Sequence, residues 1–244
     1  MRIIRSIVVL IEMLIFATGA LIIGFIIIPL SSLFYKDLKK RKFCADIVHK
    51  SWKFFTFIIQ KLGTINVEIQ GDFNDIKGKV IVASHPSLID IVLLIGLIPN
   101  SLCLAKKELL KNPIMHNIVK SLYILNDVDY DEFQMETQAA LKQGFNIIIF
   151  PTGTRTLPNE KIKIHKGSAQ IAINTNTDII PITIEFNYPF LIKNHFPLDA
   201  GTKRINYKIT KRDEIKINDF KTPEITDIKL RKILSEKIKK EITV

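Results

Sequence analysis

The stretch that decides the fold is Ser84-His85-Pro86-Ser87-Leu88-Ile89-Asp90. It follows the apolar run 80–83, which is typical of a buried strand, and precedes the apolar run 91–97, which is typical of a helix. Residues between a strand and a helix lie at the carboxyl end of a parallel sheet, where α/β proteins bind ligands. We therefore place His85 just before the helix and Asp90 in its opening turns, where the carboxylate can turn back toward the imidazole.

His85 and Asp90 are residue types that suit base catalysis. A neutral imidazole can take a proton from an alcohol that attacks a carbonyl carbon, and a carboxylate on the other ring nitrogen stabilises the imidazolium that forms. No serine or cysteine stands in a glycine-flanked elbow, so direct attack by a substrate hydroxyl, without an acyl-enzyme, is the simplest interpretation. A structural alternative stays open here, in which the two residues only stabilise the start of a helix.

A second candidate site follows the apolar run 146–150, which is typical of a buried strand and is followed by Pro151-Thr152-Gly153-Thr154-Arg155-Thr156. A glycine lets backbone amides approach a ligand, threonine hydroxyls donate hydrogen bonds, and arginine presents a planar fork suited to phosphate. The turn therefore predicts an anion-binding site. The alternative is an ordinary turn with a solvated arginine.

Taken together, His85…Asp90 and the stretch 150–156 resemble the glycerolipid acyltransferase superfamily, whose best-known branch is the lysophosphatidic acid acyltransferases. Two weaker blocks agree in order and spacing, namely Ala105-Lys106-Lys107-Glu108-Leu109, followed by Pro113, and Ile179-Ile180-Pro181-Ile182. His165-Lys166-Gly167 also matches a basic helix start that the family has before its last block. The resemblance covers about residues 65–210.

This resemblance implies a membrane-associated O-acyltransferase of the 1-acylglycerol-3-phosphate type. Such an enzyme moves a fatty acyl group from a thioester, on coenzyme A or an acyl carrier protein, to the hydroxyl of a lysophospholipid. Neither a metal nor a bound cofactor is required. The site residues by role are the catalytic pair His85 and Asp90, which act as general base and orienting carboxylate, and the substrate-binding residues Gly153, Thr154, Arg155, Lys106 and Lys107.

The chain departs from the family pattern at three places. Thr152 stands where glutamate is usual, and His116 stands where glycine is usual. Asp127 stands where the family usually ends its second block with an acid–arginine pair, so an acid replaces an expected cation. A lipid acceptor without phosphate, of an ornithine-lipid, glycan or polyene type, therefore stays open. A peripheral protein that binds lipid without turnover is a further alternative.

Composition and charge limit the classes of function and partner that remain open. The chain has 244 residues, 47% of them hydrophobic, and a net charge of +11, which suits one α/β domain with extra N-terminal elements on an anionic membrane. Residues 1–61 carry ten Lys or Arg against three acids. Charge concentrated beside an apolar segment argues against nucleic acid as a partner. We expect the only cysteines, Cys44 and Cys103, to be reduced.

The N-terminal stretch predicts a membrane-anchoring helix pair over residues 1–62. Residues 13–35 carry no charge and would form a helix of roughly 35 Å, against a hydrocarbon core of about 30 Å. The basic cluster 36–42 is expected to keep the catalytic domain on the cytoplasmic side. A second helix over 43–62 mixes aromatic residues with lysines, as interfacial helices do. Packing of this helix on a soluble domain is the alternative, and the sequence does not decide between a spanning anchor and insertion into one leaflet.

Residues 63–244 predict a single α/β acyltransferase domain with a mostly parallel sheet flanked by helices. Residues 187–202 have little pattern, and we expect a flap there and a charged loop over 159–163. The acids that precede the third predicted helix are expected to cap it rather than bind metal. Strands are predicted at 65–70, 80–84, 101–105, 123–126, 146–150, 179–186 and 204–210, and helices at 87–98, 106–121, 131–143, 167–174 and 226–240.

Overall fold

The computed structural model describes residues 2–156 and 163–243, and within them seven strands form one sheet of order β1-β7-β6-β2-β5-β3-β4. Residues 159–162 of the predicted charged loop lie outside the described residues. The strands are β1 (Ile65–Gln70), β2 (Val80–Ala83), β3 (Ser101–Ala105), β4 (Tyr123–Leu125), β5 (Asn146–Ile149), β6 (Ile179–Phe186) and β7 (Ile205–Lys211).

The sheet is mostly parallel, which confirms the predicted fold class. Strands β2 to β6 all run in one direction, whereas β7 pairs antiparallel with β6, and β1 pairs parallel with β7. β1 and β7 therefore run against the other five strands. As a consequence, the beginning of β1 lies at the same edge of the sheet as the carboxyl ends of β2, β3 and β5.

The helices cover both faces of the sheet. They are α1 (Arg2–Ser31), α2 (Asp37–Lys61), α3 (Asp90–Leu97), α4 (His116–Leu122), α5 (Tyr130–Lys142), α6 (Gly167–Thr175) and α7 (Asp227–Ile242). The right-handed crossovers expected between parallel strands put α3 and α4 on one face and α5 and α6 on the other. α2 packs on α3 and α4, and α7 packs on α6.

Two predicted helices of the catalytic domain were wrong in their limits. The helix predicted over 87–98 begins only at Asp90, because residues 87–89 form a turn. The helix predicted over 106–121 is divided into a 3₁₀ segment, Lys107–Lys111, and α4, which begins at His116. Pro113 lies between the two segments, where it cannot donate a backbone hydrogen bond to a continuous helix.

The N-terminal helix was predicted over the uncharged residues 13–35, but it begins at Arg2 and ends at Ser31. Charged side chains lie within it because they have partners in the α/β domain, as the contacts of Arg2 and Glu12 show. The Arg2 guanidinium is 3.2 Å from the Asp199 carboxylate, and Glu12 accepts a hydrogen bond from Thr64. By length and hydropathy, α1 is the helix of the described chain that could cross a membrane.

The two N-terminal helices share one apolar core with the sheet domain, so the predicted boundary between residues 62 and 63 does not separate two cores. α1 packs on α2 through Phe16, whose ring centroid lies 4.8 Å from that of Trp52 and 5.1 Å from that of Phe55. α2 approaches α3 closely at Gly96, where an added Cβ would lie 2.9 Å from the Lys53 backbone nitrogen.

Replacing Gly96 with alanine is therefore expected to force α2 and α3 apart. Overpacking of this kind costs typically about 1–3 kcal/mol, which lowers Tm by roughly 2–4 °C per kcal/mol in a chain of this size. Thermal unfolding in detergent would measure the change. Gly19→Ala is the matched control, because an added Cβ meets nothing within 4 Å there. Equal Tm values for the two variants would contradict the close contact.

Candidate active site

The His85 side chain and the Asp90 carboxylate form a hydrogen-bonded pair at the carboxyl end of β2. His85 Nδ1 donates to Asp90 Oδ2 over 3.0 Å. The two residues are held in this position because His85 precedes the turn 87–89 and Asp90 is the first residue of α3. The His85 side chain is 15% exposed and that of Asp90 is fully buried. Since Nδ1 is engaged, Nε2 is the ring nitrogen available to a substrate.

The Asp90 carboxylate is held by the turn that precedes it. Oδ2 also accepts a hydrogen bond from the Ser87 backbone amide over 2.7 Å, while Oδ1 is buried without a hydrogen-bond partner among the described residues. Burial raises the pKa of the Asp90 carboxyl above its ordinary value, and the hydrogen bond and charge of His85, the Ser87 amide and the charge of Arg155 oppose this rise. The carboxylate is therefore strongly dependent on its neighbours for its negative charge.

Ser87 links the turn 87–89 to residues 187–202, the predicted flap. Its hydroxyl donates to the Phe190 carbonyl oxygen over 2.7 Å and accepts from the Tyr207 hydroxyl over 3.3 Å. The Leu88 amide donates to the Leu191 carbonyl oxygen over 3.0 Å. The segment is thus tied to the site from the side of β2, and Phe190 is buried there.

Phe150 and Thr156 connect His85 with the predicted anion-binding turn. The Phe150 ring stacks on the His85 imidazole, with centroids 4.0 Å apart and planes inclined by 21°. The Thr156 amide donates to the His85 carbonyl oxygen over 2.9 Å. These contacts fix the plane of the imidazole and hold the turn 151–156 beside it.

The turn after β5 has the conformation that a glycine permits. Gly153 adopts a φ of +68°, and its amide donates to the Phe150 carbonyl oxygen over 2.9 Å. The Thr152 hydroxyl donates to the Thr154 carbonyl oxygen over 2.7 Å, which closes the turn. Gly153 and Thr154 are exposed and the Arg155 side chain is half-buried. Arg155 Nη1 donates to the Leu191 carbonyl oxygen over 2.9 Å, so part of the guanidinium supports residues 187–202.

Lys106 and Lys107 follow β3, at the same edge of the sheet as the catalytic pair but two strands away from it. Both are exposed. The Lys107 amide donates to both carboxylate oxygens of Asp127 over 3.0 Å. Asp127, the acid that departs from the family pattern, therefore holds the backbone at the start of the 3₁₀ segment.

A cavity of about 460 Å³ lies between the N-terminal helices and the sheet domain and opens onto His85. Its wall is almost entirely apolar and includes Ile91 and Val92 from the run that follows the catalytic turn. α1 contributes Val9, Met13, Phe16 and Ala17, α2 contributes Trp52, Phe55 and Ile59, and Leu109, Ile114, Met115 and Tyr123 line the opposite flank.

Comparison with known proteins places the chain in a family. The profile of the family described as "Acyltransferase" matches residues 64–185, half of the chain, with the His85–Asp90 pair and the turn 151–156 inside the match. The chain belongs to this acyltransferase family. The resemblance based on ordered sequence blocks is thereby confirmed.

Relatives of this acyltransferase-family chain carry a consistent description. It is 30% identical to the 1-acyl-sn-glycerol-3-phosphate acyltransferase of Helicobacter pylori (strain J99) over 72% of this chain and 73% of that protein. It is 26% identical to the protein of the same description from Cocos nucifera, over 63% of this chain and 54% of that protein. The match thus spans about half the length of the coconut relative.

A solved structure resembles almost the whole chain. It is that of the 1-acyl-sn-glycerophosphate (LPA) acyltransferase PlsC from Thermotoga maritima, with a TM-score of 0.68 and 25% sequence identity. The alignment covers 99% of this chain and 97% of that chain. The likeness therefore includes the N-terminal helices as well as the sheet domain.

Three residues of the site were missed by sequence reasoning. Ser87 and Phe150 belong to the two motifs, but their contacts could not be read from them. Ser87 donates a hydrogen bond to the Phe190 carbonyl oxygen, and the Phe150 ring stacks on the His85 imidazole. Glu12 lines the cavity from α1. A lone acid in an apolar helix is a signal that could have marked it.

Proposed function

We propose that the protein is a membrane-associated O-acyltransferase that moves a fatty acyl group from a thioester of coenzyme A or an acyl carrier protein to the hydroxyl of 1-acylglycerol-3-phosphate. One observation carries this proposal: the His85–Asp90 pair opens into an apolar cavity large enough for lipid chains. The descriptions of the relatives agree with it.

In the proposed reaction, His85 Nε2 takes the proton of the acceptor hydroxyl while the hydroxyl oxygen forms a bond to the thioester carbonyl carbon. Asp90 stabilises the imidazolium through Nδ1. The tetrahedral intermediate then collapses as the carbon–sulfur bond breaks, and the imidazolium returns its proton to the leaving thiolate. The products are an ester and a free thiol, and no acyl-enzyme forms.

The proposed acceptor phosphate lies against the turn that holds Gly153, Thr154 and Arg155, with Lys106 and Lys107 as further cations at the rim. Two departures from the family pattern have structural explanations that leave this site intact. Asp127 binds the Lys107 backbone amide, and the Thr152 hydroxyl closes its own turn. We therefore favour a phosphate-bearing acceptor over an ornithine-lipid, glycan or polyene lipid.

We further propose that α1 and α2 insert into one leaflet, with the catalytic domain on the cytoplasmic side. α1 contacts the sheet domain near both ends, through Arg5 at the Ala200 carbonyl oxygen and through Gly24 near Asn117. A helix attached along its length to one domain cannot lead away across a bilayer. The outer face of α1 is apolar and exposed, as at Phe25 and Ile26, which are 53% and 57% exposed, and so is the turn that follows it, at Leu33 and Phe34, which are 76% and 74% exposed.

The catalytic pair predicts a large loss of turnover when either member is removed. His85→Ala and Asp90→Asn should each lower kcat/KM by about 10²-fold or more, because the first removes the base and the second removes the charge that stabilises its protonated form. Acyl transfer from a thioester to lysophosphatidate in detergent is the measurement. His195→Ala is the control, since that histidine faces Asp199 outside the cavity. Near-normal turnover of the first two variants would remove the mechanism.

The anion-binding turn predicts an effect that depends on the acceptor. Arg155→Ala should raise KM for lysophosphatidate by about 10-fold or more, as expected for loss of hydrogen bonds to a charged group, and should change KM for monoacylglycerol little. An acceptor panel with and without phosphate measures this difference. Arg212→Ala, which removes an exposed arginine just after β7, is the matched control. An equal effect on both acceptors would contradict phosphate binding by Arg155 and would assign the loss to its support of residues 187–202.

The membrane proposal predicts two separable contributions to vesicle binding. Lys36→Glu with Lys39→Glu should weaken flotation with anionic vesicles and leave neutral vesicles unaffected, since each basic residue near an anionic surface contributes about 1 kcal/mol. Leu33→Ser with Phe34→Ser should weaken binding to both kinds of vesicle. Unchanged flotation of both double variants would argue against insertion of this face.

A further inference from the structure

Glu12 is a buried carboxyl group in the wall of the apolar cavity, and the proposed chemistry does not use it. The residue is 3% exposed and lines the cavity beside Val9 and Met13. Its Oε1 accepts a hydrogen bond from Thr64 Oγ1 over 2.7 Å. A carboxyl group in an apolar cavity is costly when ionised, so its charge depends on what else occupies the cavity.

The surroundings of Glu12 are mostly uncharged. Arg5, two turns earlier on α1, is the charged group that acts on it, and the Arg5 guanidinium also donates to the carbonyl oxygens of Gly63, Thr64 and Ala200. α2 presents only apolar side chains to this part of the cavity. The other titratable side chains of the wall, from the region of β2 to β4, are His85, Cys103 and Tyr123.

Burial raises the pKa of Glu12 to about 7, and the hydrogen bond from Thr64 and the charge of Arg5 oppose the rise. The carboxyl group therefore changes charge near neutral pH. Below that pH it is predominantly neutral, and above it predominantly ionised.

Glu12 and His85 lie at different places in the same cavity. Thr64 immediately precedes β1, and His85 follows β2, which is separated from β1 by β7 and β6. Three strand spacings of about 4.8 Å place the two ends roughly 14 Å apart along one edge of the sheet. An alkyl chain that begins at His85 and runs toward α1 would therefore reach Glu12 only if it is long.

We propose that Glu12 limits the length of the acyl chain that the cavity accepts between His85 and α1. This inference rests on the acyl transfer proposed above. A chain that stops short of Glu12 leaves the carboxylate open to the rest of the cavity, whereas a longer chain fills that space and covers the carboxylate with apolar groups. Covering disfavours the ionised form, so long chains bind to the neutral form and take up a proton.

The test is the ratio of kcat/KM for a long-chain substrate to that for a short-chain substrate, measured from pH 6 to pH 8. One series varies the thioester donor, from decanoyl to stearoyl, with a fixed acceptor, and a second varies the chain of the lysophosphatidate acceptor. The two series identify which chain lies against Glu12. Because every substrate undergoes the same chemical step, the pH dependence of that step cancels in the ratio.

In the wild-type protein the ratio should fall by up to about tenfold from pH 6 to pH 8, following the neutral fraction of a group whose pKa is about 7. Glu12→Gln keeps an acceptor for Thr64 but has no charge, so its ratio should stay high at every pH. Glu68→Gln, which removes an exposed carboxylate from β1, is the matched control and should retain the wild-type dependence.

A ratio that is independent of pH in both wild-type series would overturn the inference while leaving acyl transfer intact. The same holds if Glu12→Gln follows the wild-type pH dependence. Absence of acyl transfer in the wild-type protein would overturn the proposed function and this inference together. Should Glu12→Gln not fold, the two wild-type series decide the matter without it.

Discussion

The site depends on one buried carboxylate. Asp90 has no exposed surface, and its Oδ2 is shared between the His85 ring and the Ser87 amide. An ionised carboxylate in this position is stable only if its hydrogen-bond donors stay in place. The turn 87–89 supplies one of them, and the imidazole supplies the other. The hydrogen bond from the imidazole to the carboxylate therefore stabilises the charge of Asp90 and also orients the His85 ring, leaving Nε2 as the free ring nitrogen of a residue that lines the cavity.

This constraint extends outward from the turn. Ser87 holds residues 187–202 through the Phe190 carbonyl oxygen, and Arg155 holds the same segment through the Leu191 carbonyl oxygen. The sequence indicated a flap here, because residues 187–202 have little pattern. The hydrogen bonds show where this segment is attached to the site. The Tyr207 hydroxyl, from β7, also donates a hydrogen bond to the Ser87 hydroxyl. β7 therefore supports the turn 87–89 although it runs antiparallel to the central strands.

Much of the sheet domain could be predicted because local signals agreed with one another. Apolar runs such as 80–83 and 146–149 are buried strands, and the polar residues after them lie where parallel strands end. The start of α3 could not be predicted, since it depends on which groups donate hydrogen bonds to the Asp90 carboxylate, here the Ser87 amide and the His85 ring. The start of α1 could not be predicted either, because Arg2 and Glu12 are compatible with an apolar helix only through partners almost 200 and about 50 residues away.

In the candidate site, too, the features that depend on local sequence could be predicted and those that depend on long-range contacts could not. Residue types and spacing were sufficient to predict that His85, Asp90 and the turn at Gly153 lie together, because both motifs follow parallel strands that end at one edge of the sheet. They were insufficient for Phe150 as a stacking partner and for the cavity, which forms only when α1 and α2 cover the sheet. Long-range packing of this kind leaves little trace in a single sequence.

The reversed direction of β1 has a consequence for how this chain can be handled. Because β1 begins at the edge where the central strands end, α1 and α2 precede it directly above the site and form one side of the cavity. Shortening the chain to residue 63 onward, as a means of obtaining a water-soluble enzyme, would remove that side. The truncated protein would retain His85 and Asp90 but would offer a lipid chain an open surface instead of a cavity walled by α1 and α2.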